Sequence, residues 1–169
     1  MLDSRFLFSK YIVILITKKL IELGINLPYV PESAGTYVPF RKVGNILYLS
    51  GSLCSLDGKL THFGQVGKEL TISSAKEAAK VCALNQLAII KYALGTLDRV
   101  NQIIIVNGFV NAIDGFAESP QVINGASDFY LCIFGENGKH ARTAVSVNGL
   151  PMNAPVEIQT VLTFDDFEK

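Results

Sequence analysis

The sequence predicts an α+β fold, because two strongly helical stretches interleave with β-type runs in the order βββ, α, β, α, ββ, and several strands neighbour one another in sequence. Its 169 residues, 49% of them apolar, are enough for one substantial core and too few for two. A single domain is expected over residues 36–169, preceded over 1–35 by an N-terminal helix and a proline-containing connector. Both main helices are expected on one sheet face, which leaves the other face to be covered by something else.

The elements follow in chain order. Phe6 to Ile16 is apolar but interrupted by Lys10 and stopped by Lys18 and Lys19, well short of the ~20 residues a spanning helix needs. No small-residue cleavage site follows, so a terminal helix ending at Gly24 is expected rather than a leader or a membrane span. Pro28 and Pro31 mark an extended connector. Tyr37–Phe40 and Asn45–Ser50 read as strands around a turn over Arg41–Gly44, and Asp57-Gly58 is a hairpin signal. Lys59–Glu69 reads as an irregular strand or loop. Thr71–Leu94 reads as a helix with capping-box spacing at Ser74 and Glu77 and Gly95 as its stop. The apolar run Val100–Val110 has the composition of a central strand covered on both faces. Ser119 as cap and Pro120 at the first position open a second helix, which ends at Gly135. Two last strands, about Arg142–Val147 and Val156–Phe164, close the chain.

Composition narrows the function. Fifteen Lys and Arg balance fifteen Asp and Glu, and no basic stripe interleaved with aromatics is present, which disfavours nucleic acid as a primary partner. A net charge of zero supplies little colloidal repulsion, so an open apolar face favours oligomerisation. Cys54, Cys82 and Cys132 are far apart, with only His62 and His140 as co-ligands, which is not a metal-site pattern. All three cysteines lie beside apolar residues and are expected as buried thiols in a reducing cytoplasm. The chain has no phosphate-binding glycine loop, no His-Glu-x-x-His and no Gly-x-Ser-x-Gly.

The conspicuous chemistry lies in residues 141–158, where Arg142 opens one apolar strand and Glu157 enters another. An exposed ion pair would account for the two charges. Alternatively the guanidinium offers a fork to a substrate carboxylate, with Glu157 as acid or base. If these two strands pair directly, Glu157 shares the face of Arg142 only when it lies opposite an even-numbered residue such as Ala144.

Ala141-Arg142-Thr143, Leu150-Pro151 and Val156-Glu157-Ile158 resemble the signature of the RidA/YjgF family of reactive-intermediate deaminases. Tyr37, Leu49-Ser50-Gly51 and Asn124 extend the likeness across about Tyr37–Phe164, closest to a longer branch with an extra N-terminal helix. The resemblance implies a chorismate-mutase-like fold and a homotrimer with clefts between subunits. It implies hydrolysis of small 2-imino acids, and of the enamines that tautomerise to them, to 2-oxo acids and ammonia, without metal or organic cofactor. Carried over, Arg142 binds the carboxylate and Glu157 positions water. Tyr37, Gly51 and Asn124 line the pocket, and the main chain at Ala144, where some relatives have cysteine, meets the reacting nitrogen. His140 and Thr143 differ from the residues more usual around the arginine, and Ser52-Leu53-Cys54 differs after the Ser-Gly strand end. A noncatalytic binder of small carboxylates on the same trimeric fold is the alternative. Relatives have also been labelled endoribonucleases.

Overall fold

The structure, a computed structural model, describes residues 16–30 and 35–165; most of the expected Phe6–Ile16 helix and Pro31 lie outside them. Residues 16–22 form the first described helix, α1. It closes at Gly24, whose φ of +65° suits a residue without Cβ, while the Ile25 N–H reaches back to the Leu20 carbonyl at 2.9 Å. Ile16 and Leu20, one turn apart, are buried in the core.

Strands β1 (Phe40–Val43) and β2 (Ile46–Leu49) form an antiparallel hairpin that turns at Gly44-Asn45. The first strand thus starts three residues later than expected, and Arg41 and Lys42 belong to it rather than to the turn. As the sheet's edge, β1 can hold charged side chains in solvent. Beyond Gly51 come β3 (Ser52–Leu53) and a small hairpin of β4 (Ser55–Leu56) and β5 (Lys59–Leu60). Its Asp57 and Gly58 both have positive φ, as a type I′ turn requires.

Helix α2 (Ile72–Leu94) is capped by Thr71, whose hydroxyl accepts from the Ser74 N–H at 3.2 Å. Ser74 therefore lies inside the first turn, and the Ser74/Glu77 spacing does not mark the cap. Gly95 ends the helix as expected, donating to the Lys91 carbonyl. A long strand β6 (Val100–Asn111) leads into α3 (Ser119–Phe134), then β7 (Ala141–Val147) and β8 (Val156–Phe164). Glu118 is the N-cap of α3, and Ser119 is free to bond Ser146 instead.

The sheet order is β1-β2-β8-β6-β7, with β3 also on β8. This corrects one expectation: β8, not β6, is the middle, and β6 stands one strand from the edge. Both helices pack on one face, as expected, against Leu47, Val106, Ile158 and Leu162. They approach each other so closely that a Cβ on Gly125 would overlap the Lys76 carbonyl. Ile105, Val145 and Tyr48 are 36%, 42% and 43% exposed on the face away from the helices, which no described residue covers. Cys54 and Cys82 are buried, but Cys132 is exposed, because α3 turns Ile133 inward beside it. Among the described residues no helix is long and apolar enough to cross a membrane.

Candidate functional site

Arg142 belongs to edge strand β7, whose alternation sends Arg142, Ala144 and Ser146 toward α3. Its Nη1 donates to Asn124 Oδ1 at 2.7 Å and to Ser127 Oγ at 3.0 Å. Asn124 and Ser127 stand three apart, hence on one face of the helix. Farther along, the Ser146 hydroxyl donates to the Phe116 carbonyl at 2.8 Å, tying this edge to the start of α3. Among the described residues no carboxylate pairs with Arg142. The guanidinium is held on one side, exposed, with donors left for an anion.

Glu157 enters β8 between Val156 and Ile158, both fully buried toward the helices, so its own side chain points to the other face. Its cross-strand neighbours are Leu53 on β3 and Phe109 on β6. Gly51 lies directly against it: a Cβ there would occupy the space of the Glu157 carboxylate. The segment carrying Gly51 is pinned on both sides. Ser50 bonds through its N–H to the Pro39 carbonyl and through its hydroxyl to that of Val38, while Gln86 Nε2 donates to the Ser50 carbonyl at 2.9 Å and to Ser52 Oγ at 2.6 Å. Tyr37 and Gly51 line one cavity of about 310 Å³ together with Tyr29, Leu53 and Met152.

Burial raises the Glu157 carboxyl above its ordinary range, and no described cation offsets it. The fold therefore favours the protonated form. That contribution is complete below the unfolded value and disappears as pH rises through the folded one. Glu157→Gln, permanently neutral, is expected to melt higher than wild type at neutral pH, with the gap closing near about pH 4 in paired thermal melts.

The six predicted residues thus fall into two groups. Arg142, Asn124 and Ala144 belong to the edge by α3, whereas Tyr37, Gly51 and Glu157 belong to the part built from the β1–β3 region and β8. The two candidate strands are not neighbours, because β6 lies between them. Arg142 is in register with Val106 and Thr160, while Glu157 is in register with Phe109 and the odd-numbered Val145. Two strand spacings and three residues of offset separate their Cα atoms by roughly 14 Å, with side chains on opposite faces. A site holding both within one chain is ruled out. Ser127 and Gln86 were missed by sequence reasoning. Ser127 had one usable signal, its spacing from Asn124, whereas Gln86 resembled any polar residue in a helix until its burial was visible.

A family profile described as "YjgF/chorismate_mutase-like, putative endoribonuclease" matches residues 17–163. The chain belongs to this YjgF family. Within it, the chain is similar to Protein TCP17 of Trypanosoma cruzi, 41% identical over 85% of this chain and 91% of the relative. It is 26% identical to a 2-iminobutanoate/2-iminopropanoate deaminase of Dermatophagoides farinae, over 83% and 95%. Among solved structures, Atu1372 of Agrobacterium tumefaciens, a protein of unknown function, superposes with a TM-score of 0.83 at 41% identity, covering 96% of this chain and 99% of that one. The chorismate-mutase-like α+β architecture is therefore shared along nearly the whole chain.

Proposed function

We propose that this YjgF protein hydrolyses small 2-imino acids, and the enamines that tautomerise to them, to 2-oxo acids and ammonia, in sites formed between copies of a cytoplasmic homotrimer. One observation carries the reading: each half of the candidate site lacks what the other holds. Among the described residues Arg142 is a tethered cation with no carboxylate and Glu157 is a desolvated carboxyl with no cation, on opposite faces of one sheet. Packing the uncovered faces of three copies around a closed ring buries Ile105 and Val145 and brings one copy's arginine edge to the next copy's glutamate. The imine deaminase among the relatives supports the chemistry.

In this reading Arg142 grips the substrate carboxylate through two parallel N–H donors, which fixes the imine carbon. Glu157 of the neighbouring copy orients a water and takes its proton as the oxygen attacks that carbon. That proton goes to the nitrogen to give a carbinolamine; Glu157 then takes the hydroxyl proton and delivers it to the amine nitrogen, so that the C–N bond breaks and ammonia leaves as the carbonyl forms. A carboxyl raised by burial is suited to both taking and returning a proton near neutral pH. Tyr37 supplies an aromatic wall, Gly51 leaves room for the carboxylate of Glu157, Asn124 holds Arg142, and the Ala144 main chain meets the nitrogen. The chemistry requires no metal or organic cofactor.

The test is to add the purified protein to 2-aminoacrylate generated in situ and follow imine loss with ammonia release. Acceleration over buffer is expected. Absence of acceleration while 2-oxo acids still bind would replace the enzyme by a carrier of small carboxylates.

A further inference from the structure

Arg142 is held by more than Asn124. Ser127 Oγ, which accepts from Arg142 Nη1 at 3.0 Å, lies 3.0 Å from His140 Nε2, and His140 Nδ1 lies 2.7 Å from the Gly138 carbonyl. A carbonyl only accepts, so Nδ1 carries a proton. When the ring is neutral, Nε2 is therefore a bare acceptor that takes the Ser127 hydroxyl proton. This fixes the direction of the whole chain: Arg142 donates to Ser127, Ser127 to His140, and His140 to Gly138. The serine presents its lone pair to the arginine because the histidine has claimed its proton.

Resting on the proposed carboxylate site, we infer that His140 is a positioning residue that acts on Arg142 through Ser127, and that capture of a carboxylate is coupled to uptake of one proton at His140.

The physical reason lies in the surroundings of the ring. Burial above all holds His140 below the ordinary imidazole range; the hydrogen bond to the Gly138 carbonyl works against this, and the positive charge of Arg142, two hydrogen bonds away through Ser127, adds a smaller downward push. Tyr130 of α3 meets the ring edge-on at 6.0 Å. Asp128 and Lys139 share a cavity of about 370 Å³ with His140 and Arg142, but Asp128 is paired with Lys76 at 2.9 Å and Lys139 with Glu136 at 2.8 Å. Strand β6, which pairs with β7 here, carries no charged residue. Among the described residues Arg142 is thus the unpaired charge facing the ring. An anion seated on Arg142 cancels that charge and makes the imidazolium easier to form. Once Nε2 is protonated it donates to Ser127, whose hydroxyl proton swings away and becomes available to the bound carboxylate. By linkage, the affinity for a carboxylate rises as pH falls through the His140 midpoint.

His140 and His62 are the two histidines in the sequence, so each ring can be followed separately by NMR. In the free trimer His140 is expected as the Nδ1–H tautomer, titrating below the ordinary value. Saturating pyruvate should move its midpoint upward. Pyruvate affinity, measured in a Glu157→Gln background so that the raised carboxyl of Glu157 is silent, should strengthen about five-fold or more from pH 8 to pH 5.5, the low end of allosteric coupling. His140→Gln can still accept from Ser127 but cannot be protonated, so it should keep the affinity seen at pH 8 and lose the pH dependence. Ser127→Ala should lose the dependence and weaken binding throughout. A His140 midpoint unmoved by bound pyruvate, or an unchanged pH profile in His140→Gln, overturns the coupling and leaves the carboxylate site standing. If pyruvate fails to bind wild type, both fall together.

Discussion

If the proposed site is shared between copies of a trimer, mixtures of Arg142→Ala and Glu157→Gln are expected to recover about a quarter of wild-type imine hydrolysis, although each variant alone should lose about 10²–10⁴-fold in kcat/KM. The fraction follows from closed symmetry. In a ring where each site takes its arginine from one copy and its glutamate from the next, a site is intact only when a Glu157→Gln chain supplies the arginine and an Arg142→Ala chain the glutamate. At equal mixing each condition is met half the time, independently, which gives about one intact site in four. The measurement is imine hydrolysis after subunit exchange through mild denaturant, beside a wild-type control taken through the same cycle. If the control recovers and the mixture stays at the level of the single variants, a shared site is excluded.

Gly51→Val should abolish the proposed imine hydrolysis by a different route. The new side chain claims the space of the Glu157 carboxylate, so the glutamate must leave its half-buried position. A loss of about 10²-fold or more in kcat is expected, as for misplacing a positioned base. The stability cost should be that of overpacking, about 1–3 kcal/mol, or roughly 2–12 °C in Tm for a chain of this size. The coupling separates this from general damage. Glu157→Gln should change the melting temperature much less in the Gly51→Val background than in wild type, because the carboxyl is already displaced. Equal effects of Glu157→Gln in both backgrounds would show that Gly51 and Glu157 are not in contact.

Much of the fold was readable because its signals are local. The Asp57-Gly58 turn, the glycine stop of α2 and the alternation in β8 each depend on a few consecutive residues. The cap of α2 was misassigned for the same reason, since Thr71 and Ser74 both fit a cap and only the hydrogen bond chooses between them. Strand order was not readable. The parallel pairing of β6 with β7 runs through the α3 crossover, and nothing in the sequence of β7 states which strand it will join. That one missing fact decided the site. The residue types were all visible, but whether Arg142 and Glu157 share a face depends on register across β6, which tertiary packing sets. His140 and Ser127 were visible as letters and silent as chemistry until their ring and hydroxyl were placed side by side.

The β6–α3–β7 crossover also bears on the order in which the molecule assembles. Arg142 meets its helper Asn124 across 18 residues of chain, and Ser127 across 15. Glu157 meets Gly51 only after a loop of 157 − 51 = 106 residues has closed. Contacts between nearby residues close before distant ones, since less loop entropy stands in their way. The Arg142 cluster is therefore expected to close before Glu157 meets Gly51, so that in the proposed enzyme a newly made chain acquires its grip before its chemistry.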